Sequence, residues 1–206
     1  DKQQRYRDSL QKRKAIIDWD AIKDELSKLE YPLYFLDFET DNPAIPRFDG
    51  MHPYEQFPFQ YSCHIIDKSG KVMHKEFLHV SEKDPGKALA KSLTKAIGKK
   101  GTVIAYNAPF ERWMLRGLSK RFPDHETALD SIADRLWDQL VIFRNHYTDS
   151  RFFGSNRLHD LLPFILPSLR SHNLAVSSSR QPLVPRTSLI PMHLVSSHTT
   201  PLPARP

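Results

Sequence analysis

The chain has 206 residues, 39% of them hydrophobic, and a formal net charge of +6, which allows one domain of ordinary size with a true core. No apolar run approaches the length of a membrane-spanning helix, and the charged opening DKQQRYRDSLQKRK has no apolar signal core behind it, so the sequence reads as a soluble cytoplasmic protein rather than a membrane or secreted one. A single cysteine, Cys63, excludes an internal disulfide framework and a multi-cysteine zinc site, and reads as a small buried apolar residue.

In chain order, residues 1–30 carry Ile16, Ile17, Ile22, Leu26 and Leu29 among charges at near-helical spacing, which predicts a lead-in helix ended by Tyr31-Pro32. LYFLDF (33–38), FQYSCHIID (59–67) and KVMHKEFLHV (71–80) read as three sequential antiparallel strands, the last two joined by a KSG turn. DPGKALAKSLTKAIGKK (84–100) has helix start and stop signals, TVIAY (102–106) is a short strand, and APFERWMLRGLSKRF (108–122) starts a helix with proline in its first turn. ETALDSIADRLWDQLVIFRNHY (126–147) reads as one longer amphipathic helix. Three strands, helix, strand, helix, helix predict an α/β sandwich with a mixed sheet.

After Leu169 the composition changes: the segment is rich in Ser and Pro, lacks Gly, Asp, Glu and Lys, and shows no periodicity, so 170–206 is predicted to be a disordered tail behind a domain at 31–169. This tail also holds four arginines without an acid, leaving 26 bases against 24 acids in residues 1–160. The net charge therefore says little about a nucleic-acid partner. The chain starts at Asp1 without an initiator methionine and is read as a piece of a longer protein.

The chemistry concentrates in LYFLDFETDNPAIP. Asp37 and Glu39 lie two apart near the end of a strand and so share a face. Two acids on one face repel unless a cation sits between them, and Mg²⁺ takes carboxylate oxygens. The competing reading has both acids facing solvent where the strand frays; a second triplet of this kind, Asp124-His125-Glu126, is read as the acidic start of a helix. In TVIAYNAPFERWML, Asn107 follows a strand and Glu111 comes about one helical turn later, so both can aim at one place. Alternatively Asn107 caps the helix and Glu111 complements its dipole. Together, the two stretches form the carboxylate cluster that a two-metal phosphodiesterase needs.

The pairing of D-x-E on a first strand with N-x-x-x-acid at a strand-to-helix junction resembles the DEDD exonucleases of the ribonuclease-H-like superfamily. More narrowly, YPLYFLDFET, NPAIPRFDG, PFQYSCHI, YNAPFER and GSNRLHDLLPFILPSL are similar to domain-of-unknown-function family 2779, a bacterial group regarded as nucleases, from about residue 15 to Leu169. The resemblance implies a ribonuclease-H-like mixed sheet, three antiparallel strands first, flanked by helices. It also implies a metal-dependent 3′-to-5′ exonuclease acting on DNA or RNA with Mg²⁺ or Mn²⁺, alongside a further nuclease domain in the full-length protein. Asp37, Glu39 and Glu111 are then the catalytic metal ligands, Glu111 standing where most DEDD enzymes have Asp, and Asn107 faces the nucleic acid. Asp138, in RLWDQL, either supports those ligands from behind or faces solvent on a helix. The third motif of such enzymes, a Tyr or His shortly before a last metal-binding Asp, is missing. HETALD (125–130) has a similar spacing, but so soon after Glu111 it is taken as coincidence. The expectation is that the native C-terminal part was replaced, leaving the site one ligand and its general base short.

Of the remaining candidates, His52, Cys63 and His64 lack zinc-site spacing. RFDGMHPYEQFPFQY offers aromatic faces for bases with Arg47 beside a phosphate path, or else simply packs a long loop. Lys99, Lys100, Arg112, Arg116, Lys120 and Arg121 form a basic edge or only solvate a helix. The alternative function is a non-catalytic nucleic-acid- or protein-binding scaffold with the same fold.

Overall fold

The N-terminal charges fold into two helices rather than the single lead-in helix expected. The structure, a computed structural model, describes residues 1–167; the predicted tail at 170–206 lies outside the described residues. Helix α1 (Lys2–Lys12) stops at Arg13, whose left-handed backbone (φ 49°) lets its own N–H and that of Lys14 turn back to the carbonyls of Leu10 and Ser9. Strand β1 (Ile16–Ile17) follows, and the Asp18 carboxylate accepts the Ala21 N–H to cap helix α2 (Trp19–Ser27). The two isoleucines fit helical spacing, but this pair of breaks puts them in extended backbone.

The main sheet is built from β2 (Leu33–Asp41), β3 (Phe57–Ile66), β4 (Val72–Leu78), β5 (Val103–Ala105) and β6 (Leu136–Asp138). Across the sheet they lie in the order β4-β3-β2-β5-β6. The pairs β2–β3 and β3–β4 are antiparallel, whereas β2–β5 and β5–β6 are parallel. The result is mixed α/β with a five-stranded mixed sheet flanked by helices. The expectation of three antiparallel strands first needs correction: β1 precedes them and pairs antiparallel with β7 (Tyr147–Thr148) in a separate two-stranded sheet.

Strand β2 is central, and Leu33 to Leu36 are buried on both faces, as a strand with neighbours on each side requires. Tyr34, Leu36 and Phe38 face a core shared with helices α3 (Gly86–Ala96), α4 (Pro109–Arg121) and α5 (Glu126–Asp134), through Leu89 and Leu93, Leu115 and Leu118, and Leu129 and Ile132. The other β2 face carries Leu33, Phe35, Asp37 and Glu39.

The predicted helix over 126–147 breaks in two. Leu129, Ile132, Leu136, Leu140 and Phe143 keep a helical period across the whole window, so the pattern conceals the break. In the structure α5 ends at Asp134, and the backbone at 135–139 instead pairs with β5: Val103 N–H donates to the Arg135 carbonyl and Gln139 N–H to that of Ala105. The Arg135 guanidinium fixes the corner by donating to the carbonyls of Gly98 and Gly101, each at 2.7 Å. Tertiary pairing overrides local periodicity here.

The chain divides into two units, Leu29–Gln139 and Asp1–Lys28 with the chain from Leu140 on. The first holds the five-stranded sheet with α3 to α5. In the second, Ser150 N–H donates to the buried Ser9 hydroxyl, Asp18 N–H to the His146 carbonyl, and the Arg5 guanidinium to the carbonyls of Asn145 and His146. A wide helical turn (Ile142–His146) and helix α6 (Leu158–Ile165) complete it.

Candidate carboxylate site

Parallel strands bring their C-terminal ends to one edge of a sheet, the edge where α/β proteins hold ligands. Ile104 pairs with both Phe35 of β2 and Trp137 of β6, which sets a common level across the three parallel strands. Asp138 lies one residue past that level, Asp37 two, and Asn107 three. At about 3.3 Å per residue, all three positions fall within roughly 10 Å along the strands. Glu39 lies two residues beyond Asp37 on the same face, and a bulge follows it directly, where Phe59 is skipped between the pairs Glu39–Gln60 and Thr40–Pro58.

Asn107 makes the turn from β5 into α4. Its backbone is left-handed (φ 72°), a conformation Asn tolerates better than most residues, and its N–H donates to Asp138 Oδ1 at 2.9 Å. The capping reading does not hold: Ala108 stands at the N-cap of α4 with no side-chain cap bond. Asp138 is neither on a helix nor directed away from the site, because it ends β6 beside the turn that aims Glu111.

Glu111 sits in the first turn of α4 and is 3% exposed. Its Oε2 is buried without a hydrogen-bond partner among the described residues. Burial pushes its proton affinity up to about 8; a hydrogen bond to its own backbone opposes the shift, while the charges of Asp37 and Asp138 add to it. A dipole-complementing acid would be exposed and ionised. Glu111 is instead a buried acid facing two others, an arrangement that calls for a proton or a cation. The charges of Asp37 and Asp138 both act on it, that of Asp37 the more strongly.

Carboxylate oxygens with one orphaned buried oxygen suit a hard divalent cation such as Mg²⁺ or Mn²⁺. As the side chains stand, no group of three or more His, Cys, Asp or Glu among the described residues is arranged to hold a metal ion.

A family model, Domain of unknown function (DUF2779), matches residues 34–157. The chain belongs to this family. The DUF2779 match starts within β2 and takes in Asp37, Glu39, Asn107, Glu111 and Asp138. No curated protein and no solved structure matches the chain.

The other sequence candidates lie elsewhere. Arg47 is exposed and pairs with Asp41 at 3.2 Å. In the same loop Phe48 packs edge-on against buried Phe57, their centroids 5.2 Å apart, while Tyr54 is exposed. Half of the basic edge is occupied internally: Arg112 donates to the carbonyls of Ala133 and Leu136, Arg116 bridges Asp130 and Asp134, and Arg121 pairs with Asp84. Asp130 of HETALD thus belongs to an ion pair between α4 and α5. Cys63 is fully buried, its thiol pushed up to about 12 by burial, and His64 stacks on His74 of the neighbouring strand. Sequence reasoning missed that Asp138 ends a strand. No glycine or proline marks that boundary, and only the strand-to-strand pairing reveals it.

Among the described residues no helix is long and apolar enough to cross a membrane.

Proposed function

We propose that this DUF2779 chain is a metal-dependent 3′-to-5′ exonuclease domain of the DEDD type, hydrolysing phosphodiesters of DNA or RNA. The observation that carries the proposal is Glu111, a buried carboxyl with an orphaned oxygen in charge contact with Asp37 and Asp138 at the C-terminal edge of three parallel strands. The ribonuclease-H-like topology is part of the same proposal, supported by an antiparallel β4-β3-β2 half joined to a parallel β2-β5-β6 half.

Asp37, Glu111 and Asp138 would hold the ions, with Glu39 as their neighbour on β2. When bound, Mg²⁺ or Mn²⁺ supplies Lewis-acid polarisation of the phosphodiester and of its attacking water. Asp138 has a further task in this reading: by accepting the Asn107 N–H it holds the left-handed turn that aims Glu111. Burial of Glu111 strengthens its interaction with any cation that displaces the proton.

Incubation of end-labelled single-stranded DNA and RNA with Mg²⁺ or Mn²⁺ tests the proposal. Stepwise shortening from the 3′ end that Asp37→Ala abolishes is the expected result; equal traces for the two proteins refute it. A second reading, a non-catalytic scaffold with the same fold, is favoured by the lack of a ready-made metal group among the described residues. It predicts that the two traces match.

A further inference from the structure

The unit formed by Asp1–Lys28 and the chain from Leu140 on holds a cleft of about 580 Å³, within the size range of small-molecule sites. One wall is a face of α1, where Lys2, Gln3, Tyr6 and Arg7 fall three and four residues apart and so line up. The opposite wall comes from the turn before β7 and the loop after it.

The cleft combines two kinds of side chain. Phe143 and Phe152, both buried, line it together with the half-buried Tyr6 and Tyr147. Tyr147 is held in place by stacking on Phe152 at 5.6 Å with the rings 21° apart. Around these rings stand three exposed cations, Lys2, Arg7 and Arg144. Among the described residues that line it the one acid is Asp149, neutralised by Arg151, whose guanidinium holds both its carboxylate oxygens at 2.6 to 3.1 Å. Aromatic rings beside exposed cations match a flat base carrying a phosphate: the ring takes the base and the cations take the charge.

We infer that this cleft binds a nucleotide unit, whether free or within a single strand. The site uses none of the carboxylates at the C-terminal ends of the sheet strands. It therefore stands apart from the exonuclease reading and is tested without metal.

The experiment measures binding of a short fluorescein-labelled oligothymidylate, and of adenosine 5′-monophosphate by calorimetry, to the full chain carrying Asp37→Ala in EDTA. In this background a loss of cleavage and a loss of this binding cannot be confused. Tyr6→Ala is expected to weaken oligonucleotide binding roughly 5- to 150-fold, the range for one lost base stack, and Tyr6→Phe, which keeps the ring, to restore it. The triple variant Lys2→Ala/Arg7→Ala/Arg144→Ala is expected to flatten the dependence of log affinity on log salt by about 2, near 0.7 for each cation on a single strand. Its substituted side chains are exposed, so its melting temperature serves as the folding control. Binding of both probes, lost together in the variants, assigns the cleft to free nucleotides as well as strands. Binding of the oligonucleotide alone assigns it to the strand. Failure of the Asp37→Ala chain to bind either probe, or binding that both sets of further substitutions leave unchanged, overturns the inference.

Discussion

Replacing Glu111 by Gln keeps the shape of the side chain and removes its charge. In the folded chain the Glu111 proton leaves near pH 8 rather than at the ordinary 4.5, so between these values the folded state binds a proton that the unfolded state has released. Stability therefore falls as pH rises: the Glu111 contribution is intact below about pH 4.5 and is lost progressively as pH passes through 8. At about 1.4 kcal/mol per pH unit, the full loss is on the order of 5 kcal/mol. Glu111→Gln escapes it. Urea denaturation in EDTA should give similar stabilities for the two proteins at pH 4.5 and an advantage of several kcal/mol for Glu111→Gln at pH 9. Saturating Mn²⁺ should then raise the stability of wild type and not of the variant, because a cation bound only by the folded state stabilises it. A difference between the proteins that does not change with pH would refute the reasoning, since it would mean that Glu111 titrates as an ordinary surface acid.

Four other substitutions probe the fold and the carboxylate site. Gly101 has φ +94°, and a Cβ there would stand 2.1 Å from the Pro32 carbonyl oxygen, so Gly101→Ala should destabilise the fold by about 2 kcal/mol or more, measured by thermal melting. Asp37→Asn and Asp138→Asn should each move the wild-type pH transition downward by removing a charge that acts on Glu111, the first more than the second; a transition that stays in place in both would contradict the electrostatic picture. Asp138→Ala, which also deletes the acceptor of the exposed Asn107 N–H, should cost about 0.5 to 1.5 kcal/mol more than Asp138→Asn. Cys63, fully buried with its thiol pushed up to about 12, should resist a thiol reagent in the native state and react in urea.

Much of the fold could be read from the sequence where burial and turn chemistry agree. The apolar run 33–36, the KSG turn and the proline at the head of α4 each act locally, and each element stands where these signals place it. The failures arise where a long-range contact decides. Ile16 and Ile17 fit a helix by spacing, yet Arg13 and Asp18 end and restart the helices on either side, and β7, some 130 residues away, supplies the partner strand. Leu136–Asp138 continues an amphipathic period, yet β5 takes its backbone.

The candidate site was legible to the same extent. Asp37 and Glu39 share a face because strands alternate, and Glu111 follows Asn107 by one turn because helices do; neither inference needs coordinates. That Asp138 joins Asp37 against Glu111 could not be read, since it depends on β6 being a strand in parallel register with β5. The burial that makes Glu111 a reluctant acid was equally invisible, being a property of how α4 packs.

In the proposed function, Asp37, Glu111 and Asp138 would hold a divalent cation. Calorimetric titration of Mn²⁺ at pH 7, repeated in buffers of different ionisation enthalpy, tests it most directly, because a cation entering the site must displace the Glu111 proton. Saturable binding is expected, with net proton release that is absent in Asp37→Ala and in Glu111→Gln. Binding without proton release, binding unchanged by both substitutions, or no binding at all would contradict it.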